Sequence, residues 1–132
     1  MKRILRNKDT GSVLVRYFKS LNHALSGILY ALRYEHNMII IFSAIIVTSA
    51  MGLYFDISGY EWLFCLVSFA AVAATEMVNT SIEALVDLAT NKYHPLAKIA
   101  KDTASSATLI FSITSFIGGL IIFAPKIIEM IG

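Results

Sequence analysis

The chain has 132 residues, of which 57% are apolar and 15% are charged, and its formal net charge is +2. Soluble domains carry roughly 25% charged residues, so this composition argues against an ordinary soluble domain. The single cysteine, Cys65, excludes an intrachain disulfide. The sequence contains no phosphate-binding loop of the GxxxxGK[ST] type, no GxGxxG and no zinc-type Cys/His spacing. We therefore expect one membrane-embedded domain over residues 1–132, with no nucleic acid as a partner.

The amino-terminal segment is basic and lacks the continuous apolar core of a secretory signal, so we expect the protein to keep it. A helix is predicted over about residues 12–34, because apolar residues recur there at alternating steps of four and three: Leu14, Phe18, Leu21, Leu25, Ile28 and Leu32. A basic amphipathic helix of this kind suits the cytosolic membrane surface. Packing of the stripe against the other helices explains it equally well, and both can hold.

Three uncharged stretches follow, at residues 38–55, 62–75 and 104–124. The first and third are long enough to cross a bilayer core of about 30 Å. The second is short, but no Gly or Pro interrupts the chain from residue 60 to 94, so it continues as one helix. The sequence thus predicts an all-α fold with membrane spans at about 36–56, 61–91 and 104–124, and we expect Pro125 to end the third.

The basic residues predict the topology. Ten of the eleven Lys and Arg residues precede the first span or lie between the second and third spans, and only Lys126 lies on the other side. Because cytosolic loops carry the excess of basic residues, we expect the amino terminus inside and the carboxyl terminus outside.

A polar face interrupts the apolar pattern of the second span. At 100° per residue, Glu76, Asn79, Glu83 and Asp87 project at about 0°, 300°, 340° and 20°, an arc of roughly 80°. Ionised carboxylates three or four residues apart repel one another. The face therefore needs a cation, a metal or basic residues to compensate it, and Glu35 adds another carboxylate at the same predicted depth.

Basic residues for this face are available in the following loop, which contains Lys92, His94, Lys98 and Lys101. Carboxylates suit Mg²⁺ bound to phosphate oxygens, and lysines neutralise a transferred phosphoryl group. From spacing alone, a solvated helix end whose acids pair with loop lysines is an equal alternative. A small oligomeric cation channel would need acidic residues through the full depth of the bilayer, which the first and third spans lack, and a catalytically dead scaffold would not need the carboxylates.

Two motifs resemble a known family. The stretch "ExxNTSIExxVD" at 76–87 and "YHPLAKIAKDTASSA" at 93–107 are similar to the prokaryotic diacylglycerol kinases, small membrane kinases, and so is "AxxGIxxAxxxExN" at 24–37. The forms "HPLAKIAKD" and "GGLIIFAPKI" look most like the Gram-positive branch, whose members are typically undecaprenol kinases. The resemblance runs from about Arg16 to Pro125.

The resemblance implies a role for individual residues. Glu76 would be the general base that takes the proton of a lipid hydroxyl, and Glu35 and Glu83 would hold the Mg²⁺ that bridges the phosphates of ATP, with Asn79 supporting the same centre. Asp87 would organise the cytosolic end of the helix. Further residues would lie along the nucleotide and its phosphates: Arg16, His23, Lys92, Tyr93, His94, Lys101 and Asp102.

The resemblance also implies an acceptor, an assembly and a location. We expect phosphorylation of the primary hydroxyl of undecaprenol, with diacylglycerol as the alternative acceptor, by a homotrimer in the bacterial plasma membrane. One position departs from the pattern, since His23 stands where the diacylglycerol kinase branch has a tyrosine in its nucleotide pocket.

Overall fold

The computed structural model describes residues 13–132, which form four helices and contain no strand. In chain order these are α1 (Val13–Tyr34), α2 (His36–Tyr54), α3 (Gly59–Ala89) and α4 (Pro95–Ile131). The last three are each long and apolar enough to cross a bilayer. The all-α fold with three spans after a preceding helix is therefore confirmed.

Helix α1 matches its predicted range, although Ser12, its expected first residue, lies outside the described residues. The apolar stripe is most exposed near its start, where Leu14 is 67% exposed, and is more covered further on, where Ile28 is 37% exposed. Ala31, close to the end, is buried. The carboxyl-terminal turns of α1 thus pack on the bundle, while the first turns present an apolar surface of the kind that suits a membrane face.

Helix α3 begins and ends two residues earlier than the predicted 61–91. Its start is fixed by a capping box, in which the Ser58 N–H donates to Glu61 Oε2 at 2.6 Å and the Glu61 N–H donates to Ser58 Oγ at 3.4 Å. At the other end the Thr90 backbone is extended, and its hydroxyl accepts the Lys92 N–H at 3.1 Å. Local hydrogen bonds at both ends therefore set the length of the helix.

Helix α4 corrects two predictions. It starts at Pro95, inside the segment expected to be a loop, because His94 caps it: Nδ1 of His94 accepts the Leu96 N–H at 3.2 Å. Pro125 does not end the helix but lies inside it, and the Gly132 N–H still donates to the Ile128 carbonyl at 3.1 Å. Pro125 lacks one N–H donor, a loss that membrane helices tolerate. At about 1.5 Å per residue the 37 residues of α4 extend roughly 55 Å, well beyond a hydrocarbon core of about 30 Å.

Helices α3 and α4 form the most extensive pair, and α2 packs on α3 more lightly. The end of the bundle that holds the α2–α3 connection (residues 55–58), which we call the turn end, has a compact apolar core of Ile57, Cys65 and Phe123. Close packing there depends on Gly118, since a Cβ at that position would come within 2.0 Å of the Phe64 ring. The opposite end of α2, α3 and α4, which we call the site end, contains the polar face.

Candidate active site

Burial along the polar face of α3 decreases toward the carboxyl end of the helix. Glu76 and Asn79 are 3% and 6% exposed, Glu83 is half-buried, and Asp87 is exposed. Charged and amide side chains are rarely this buried without partners. Glu76 and Asn79 therefore have to be satisfied by the helices that cover them.

Glu76 is covered from α2. The amide Nδ2 of Asn37 donates to Glu76 Oε1 at 2.8 Å, within the range of a charge-assisted hydrogen bond. Among residues 13–132, Glu76 has no ion pair with a basic side chain. The carboxylate is thus buried against a neutral donor.

Asn79 links α4 to the rest of the polar face. Its Oδ1 accepts the hydroxyl of Ser105 at 3.2 Å, and its Nδ2 donates to Glu83 Oε1 at 3.0 Å. Because a carboxylate only accepts hydrogen bonds, the amide nitrogen must face Glu83 and the oxygen must face Ser105. Glu83 therefore fixes the orientation of the Asn79 amide, and Ser105 donates to the amide oxygen.

A hollow of about 460 Å³ opens beside these residues. We call it the carboxylate hollow, and its polar lining comes from Asn37, Glu76, Asn79, Ser105, Ser106, Thr108 and Ser112. The buried hydroxyl of Thr108 has no hydrogen-bond partner among the described residues. An apolar groove of about 480 Å³ between α2, α3 and α4 shares Ile40, Ile41 and Ser112 with this hollow. The site thus combines a polar chamber with an apolar extension.

A second hollow, of about 330 Å³, lies further toward the α3–α4 connection. We call it the lysine hollow, and it contains five of the residues predicted along the nucleotide, together with Asp87: Lys92, Tyr93, His94, Lys101 and Asp102. Lys101 Nζ lies 2.6 Å from Asp87 Oδ1, and Lys98 pairs with Asp102 one turn away on α4. The predicted pairing of the acidic face with lysines therefore occurs at Asp87.

The two hollows lie about one helical turn apart. On α4, Asp102 lines the lysine hollow, while Ser105 and Ser106 line the carboxylate hollow, and the Ser106 hydroxyl donates to the Asp102 carbonyl at 2.7 Å. On α3, Glu83 comes one turn after Asn79 and one turn before Asp87. A group extending from one hollow to the other would pass Glu83.

The family model for prokaryotic diacylglycerol kinase matches residues 22–123. The chain belongs to the prokaryotic diacylglycerol kinase family. It is 40% identical to the undecaprenol kinase of Bacillus subtilis over 92% of this chain and 98% of that protein. It is also 30% identical to the diacylglycerol kinase of Synechocystis over 93% of this chain and 71% of that one, and 40% identical to the diacylglycerol kinase of Helicobacter pylori strain J99 over 72% and 74%. Kinase activity and a membrane location agree with the geometry of the site.

Two predicted nucleotide residues lie apart from both hollows. Arg16 and His23 are exposed on α1, and neither lines the carboxylate hollow or the lysine hollow. Arg16 lies in a shallow depression with Val13, Tyr17 and Ser20, and it precedes the segment that the kinase family model matches. The two hollows therefore bring together predicted residues of α3, α4 and the connection between them. The predicted metal ligands Glu35 and Glu83 line neither hollow, and the same holds for the two residues of α1.

The predicted ligands Glu35 and Glu83 would suit Mg²⁺ only if phosphate oxygens also bound the ion. Among residues 13–132, no three His, Cys, Asp or Glu side chains cluster closely enough to hold a metal. One oxygen of Glu83 accepts a hydrogen bond from Asn79. Glu35 is the half-buried N-cap residue of α2, and its side chain makes no capping hydrogen bond. Mg²⁺ is commonly held by one or two carboxylates while phosphate oxygens and water complete its shell, so a pair of carboxylates is chemically sufficient.

Sequence reasoning gave no site role to Asn37 or Ser105, although both contact the polar face. Asn37 was present in the motif at 24–37, and Ser105 lies in the small-residue run at 103–107. A polar residue in the first turn after a predicted helix break is the signal that could have identified Asn37.

Proposed function

We propose that this protein is an ATP- and Mg²⁺-dependent kinase that phosphorylates the primary hydroxyl of undecaprenol. The observation that carries the proposal is a buried carboxylate, Glu76, in a chamber that opens into an apolar groove and lies one helical turn from a lysine-lined hollow. An isoprenoid chain suits the groove, its hydroxyl suits the chamber, and a nucleotide suits the lysines.

In this account Glu76 takes the proton from the lipid hydroxyl as the hydroxyl oxygen attacks the γ-phosphorus of ATP. The bond from the γ-phosphorus to the β–γ bridging oxygen breaks, and ADP leaves with the electron pair. Lys101 neutralises charge on the phosphates, and Tyr93 and His94 border the nucleotide. Positioning and charge neutralisation supply most of phosphoryl-transfer catalysis, so no phosphate-binding loop is needed.

Glu83 and Glu35 would hold Mg²⁺, with Asn79 orienting Glu83. Bound there, the ion would neutralise the phosphates and the carboxylates together. The need for such a ligand is physical, because Glu76 and Glu83 have no basic partner within residues 13–132. Two nearby carboxylates without a counter-ion are costly in a poorly solvated site.

We propose undecaprenol rather than diacylglycerol as the acceptor because of the identity and coverage of the relatives. The Bacillus subtilis protein named for undecaprenol is matched over 98% of its length. The Synechocystis protein named for diacylglycerol is matched over 71% and at lower identity. Both lipids present a primary hydroxyl at the membrane surface, so the groove itself does not separate them.

The charge distribution supports an amino terminus on the cytosolic side of the bacterial plasma membrane, the side that holds ATP. A homotrimer would let a neighbouring copy cover the open side of the chamber and bring Arg16 and His23 to a shared site. Crosslinking of the detergent-solubilised protein tests this assembly. We expect a trimer, and a monodisperse, fully active monomer would contradict it.

The activity is tested with purified protein in mixed micelles, using ATP labelled at the γ-phosphate. Undecaprenol and dioleoylglycerol are offered separately and in competition. We expect label in undecaprenyl phosphate and a preference for undecaprenol. Preference for dioleoylglycerol would replace the proposed acceptor with the alternative, and transfer to neither lipid would contradict the proposal.

A further inference from the structure

We propose that Asn37 is a positioning residue that aligns Glu76 for proton transfer. The inference rests on the proposed function and adds a residue on a different helix to the site. Asn37 Nδ2 donates to Glu76 Oε1 at 2.8 Å, across a sequence separation of 39 residues. The bond occupies one carboxylate oxygen and leaves the other for the acceptor hydroxyl.

Glu76 needs such a partner because its side chain has three rotatable bonds and stands at the wall of an open chamber. Loss of alignment by about 1 Å can cost on the order of 100-fold in rate. Among the described residues, Asn37 is the hydrogen-bond partner of the Glu76 carboxylate. A single bond from a charge-neutral donor therefore sets the direction of the proposed base.

Asn37 itself is held in place by the start of α2. Glu35 has extended backbone angles, φ −98° and ψ 114°, which separate α1 from α2. Met38, the next residue after Asn37, is 1% exposed, and its N–H donates to the Glu35 carbonyl at 3.2 Å. A buried neighbour and a defined helix start thus fix the position from which Asn37 reaches Glu76.

The chemistry of the donor separates positioning from packing. Asn37→Asp keeps the shape of the side chain but replaces an N–H donor with a second negative charge beside Glu76. Asn37→Ala removes the donor and leaves space. A positioning role predicts that Asp is the worse substitution, because like charges repel and turn Glu76 away. A packing role predicts the opposite order, because Asp fills the volume and Ala does not.

The test measures kcat and the KM for ATP in the mixed-micelle assay for both variants. We expect Asn37→Ala to lower kcat about 10-fold, the effect of losing one hydrogen bond to a charged group. Asn37→Asp should lower it on the order of 100-fold or more, with the KM for ATP within about twofold of the original protein. Asn22→Asp, which adds the same charge on the exposed face of α1, is the matched control and should retain activity.

Two results would overturn the inference. One is Asn37→Asp with activity equal to or above that of Asn37→Ala. The other is a rise in the KM for ATP that accounts for the whole loss. If Asn37→Asp fails to fold, Asn37→Ala decides alone, through loss of kcat at unchanged KM. Glu76→Gln separates failure of the proposed function from failure of the inference about Asn37. An active Glu76→Gln variant would show that Glu76 is not the base. An inactive Glu76→Gln variant together with fully active Asn37 variants would contradict only the positioning role of Asn37.

Discussion

Helices α3 and α4 run through both the turn end and the site end, but the partners of their carboxylates differ between the two ends. At the turn end, Glu61 caps α3 and lies 3.6 Å from Lys126, next to the apolar core of Ile57, Cys65 and Phe123. At the site end, Glu76 is buried more deeply than Glu61, and its partner is an amide.

The two ends differ in how deeply their unpaired carboxylates are buried. At the turn end Glu61 pairs with Lys126, whereas Asp56 and Glu129 have no ion pair among the described residues but are exposed to solvent. At the site end the lysines pair with Asp87 and Asp102, and Glu76 and Glu83 are left without a counter-charge in the described chain. A bound cation would supply the counter-charge that Glu76 and Glu83 lack.

After Glu76 itself, the largest effect should come from Glu83. Glu83→Gln keeps the shape and the contact with Asn79 but removes the charge, so we expect a loss of activity on the order of 100-fold and a higher Mg²⁺ requirement. Titration of activity with Mg²⁺ measures both, and Glu35→Gln tests the second predicted ligand in the same way. Glu61→Gln at the turn end is the matched control, since Gln also completes a capping box. An unchanged Mg²⁺ titration for Glu83→Gln would remove Glu83 as a ligand.

A smaller effect is expected at Lys101. Lys101→Met should raise the KM for ATP about 10-fold, equivalent to about 1.4 kcal/mol of lost phosphate attraction. Lys126→Met, which removes the lysine at the turn end, should leave the KM unchanged. Asp87→Asn tests whether Lys101 acts only through its ion pair with Asp87 on α3. If Asp87→Asn raised the KM for ATP as much as Lys101→Met does, the ion pair would matter and direct contact of Lys101 with the nucleotide would not.

The smallest effect concerns stability at the turn end. Gly118→Ala places a Cβ against the Phe64 ring, whereas Gly119→Ala meets nothing within 4 Å. We expect Gly118→Ala to lower the free energy of unfolding by about 1 kcal/mol, visible as a lower Tm in detergent, and Gly119→Ala to be neutral. Activity per folded molecule should not change in either. Equal Tm values would show that the Phe64 ring moves aside without cost.

Much of the fold could be predicted because membrane spans leave a strong local signal. The length of the uncharged stretch at 38–55 predicted α2, and the periodic spacing of apolar residues predicted α1. The errors occurred where short-range hydrogen bonds decide the outcome. The capping box at Ser58 and Glu61 starts α3 two residues before its predicted start, and the His94 cap with Pro95 starts α4 inside the predicted loop.

The site was predictable along one helix but not between helices. The spacing of Glu76, Asn79, Glu83 and Asp87 follows from helix geometry alone. The contacts of Asn37 with Glu76 and of Ser105 with Asn79 depend on how α2 and α4 pack against α3, and no local pattern encodes that packing. The roles of Arg16 and His23 stay predictions, since both lie on α1 away from the two hollows.

The measurement that tests the central claim most directly compares the original protein with Glu76→Gln in one set of micelles, recording ATP binding and phosphate transfer to undecaprenol. A positioned general base contributes about 100- to 10,000-fold in rate. We predict that Glu76→Gln binds ATP as the original protein does and transfers phosphate at least 100-fold more slowly. Transfer at the original rate would show that the buried carboxylate is not the base and would contradict the account.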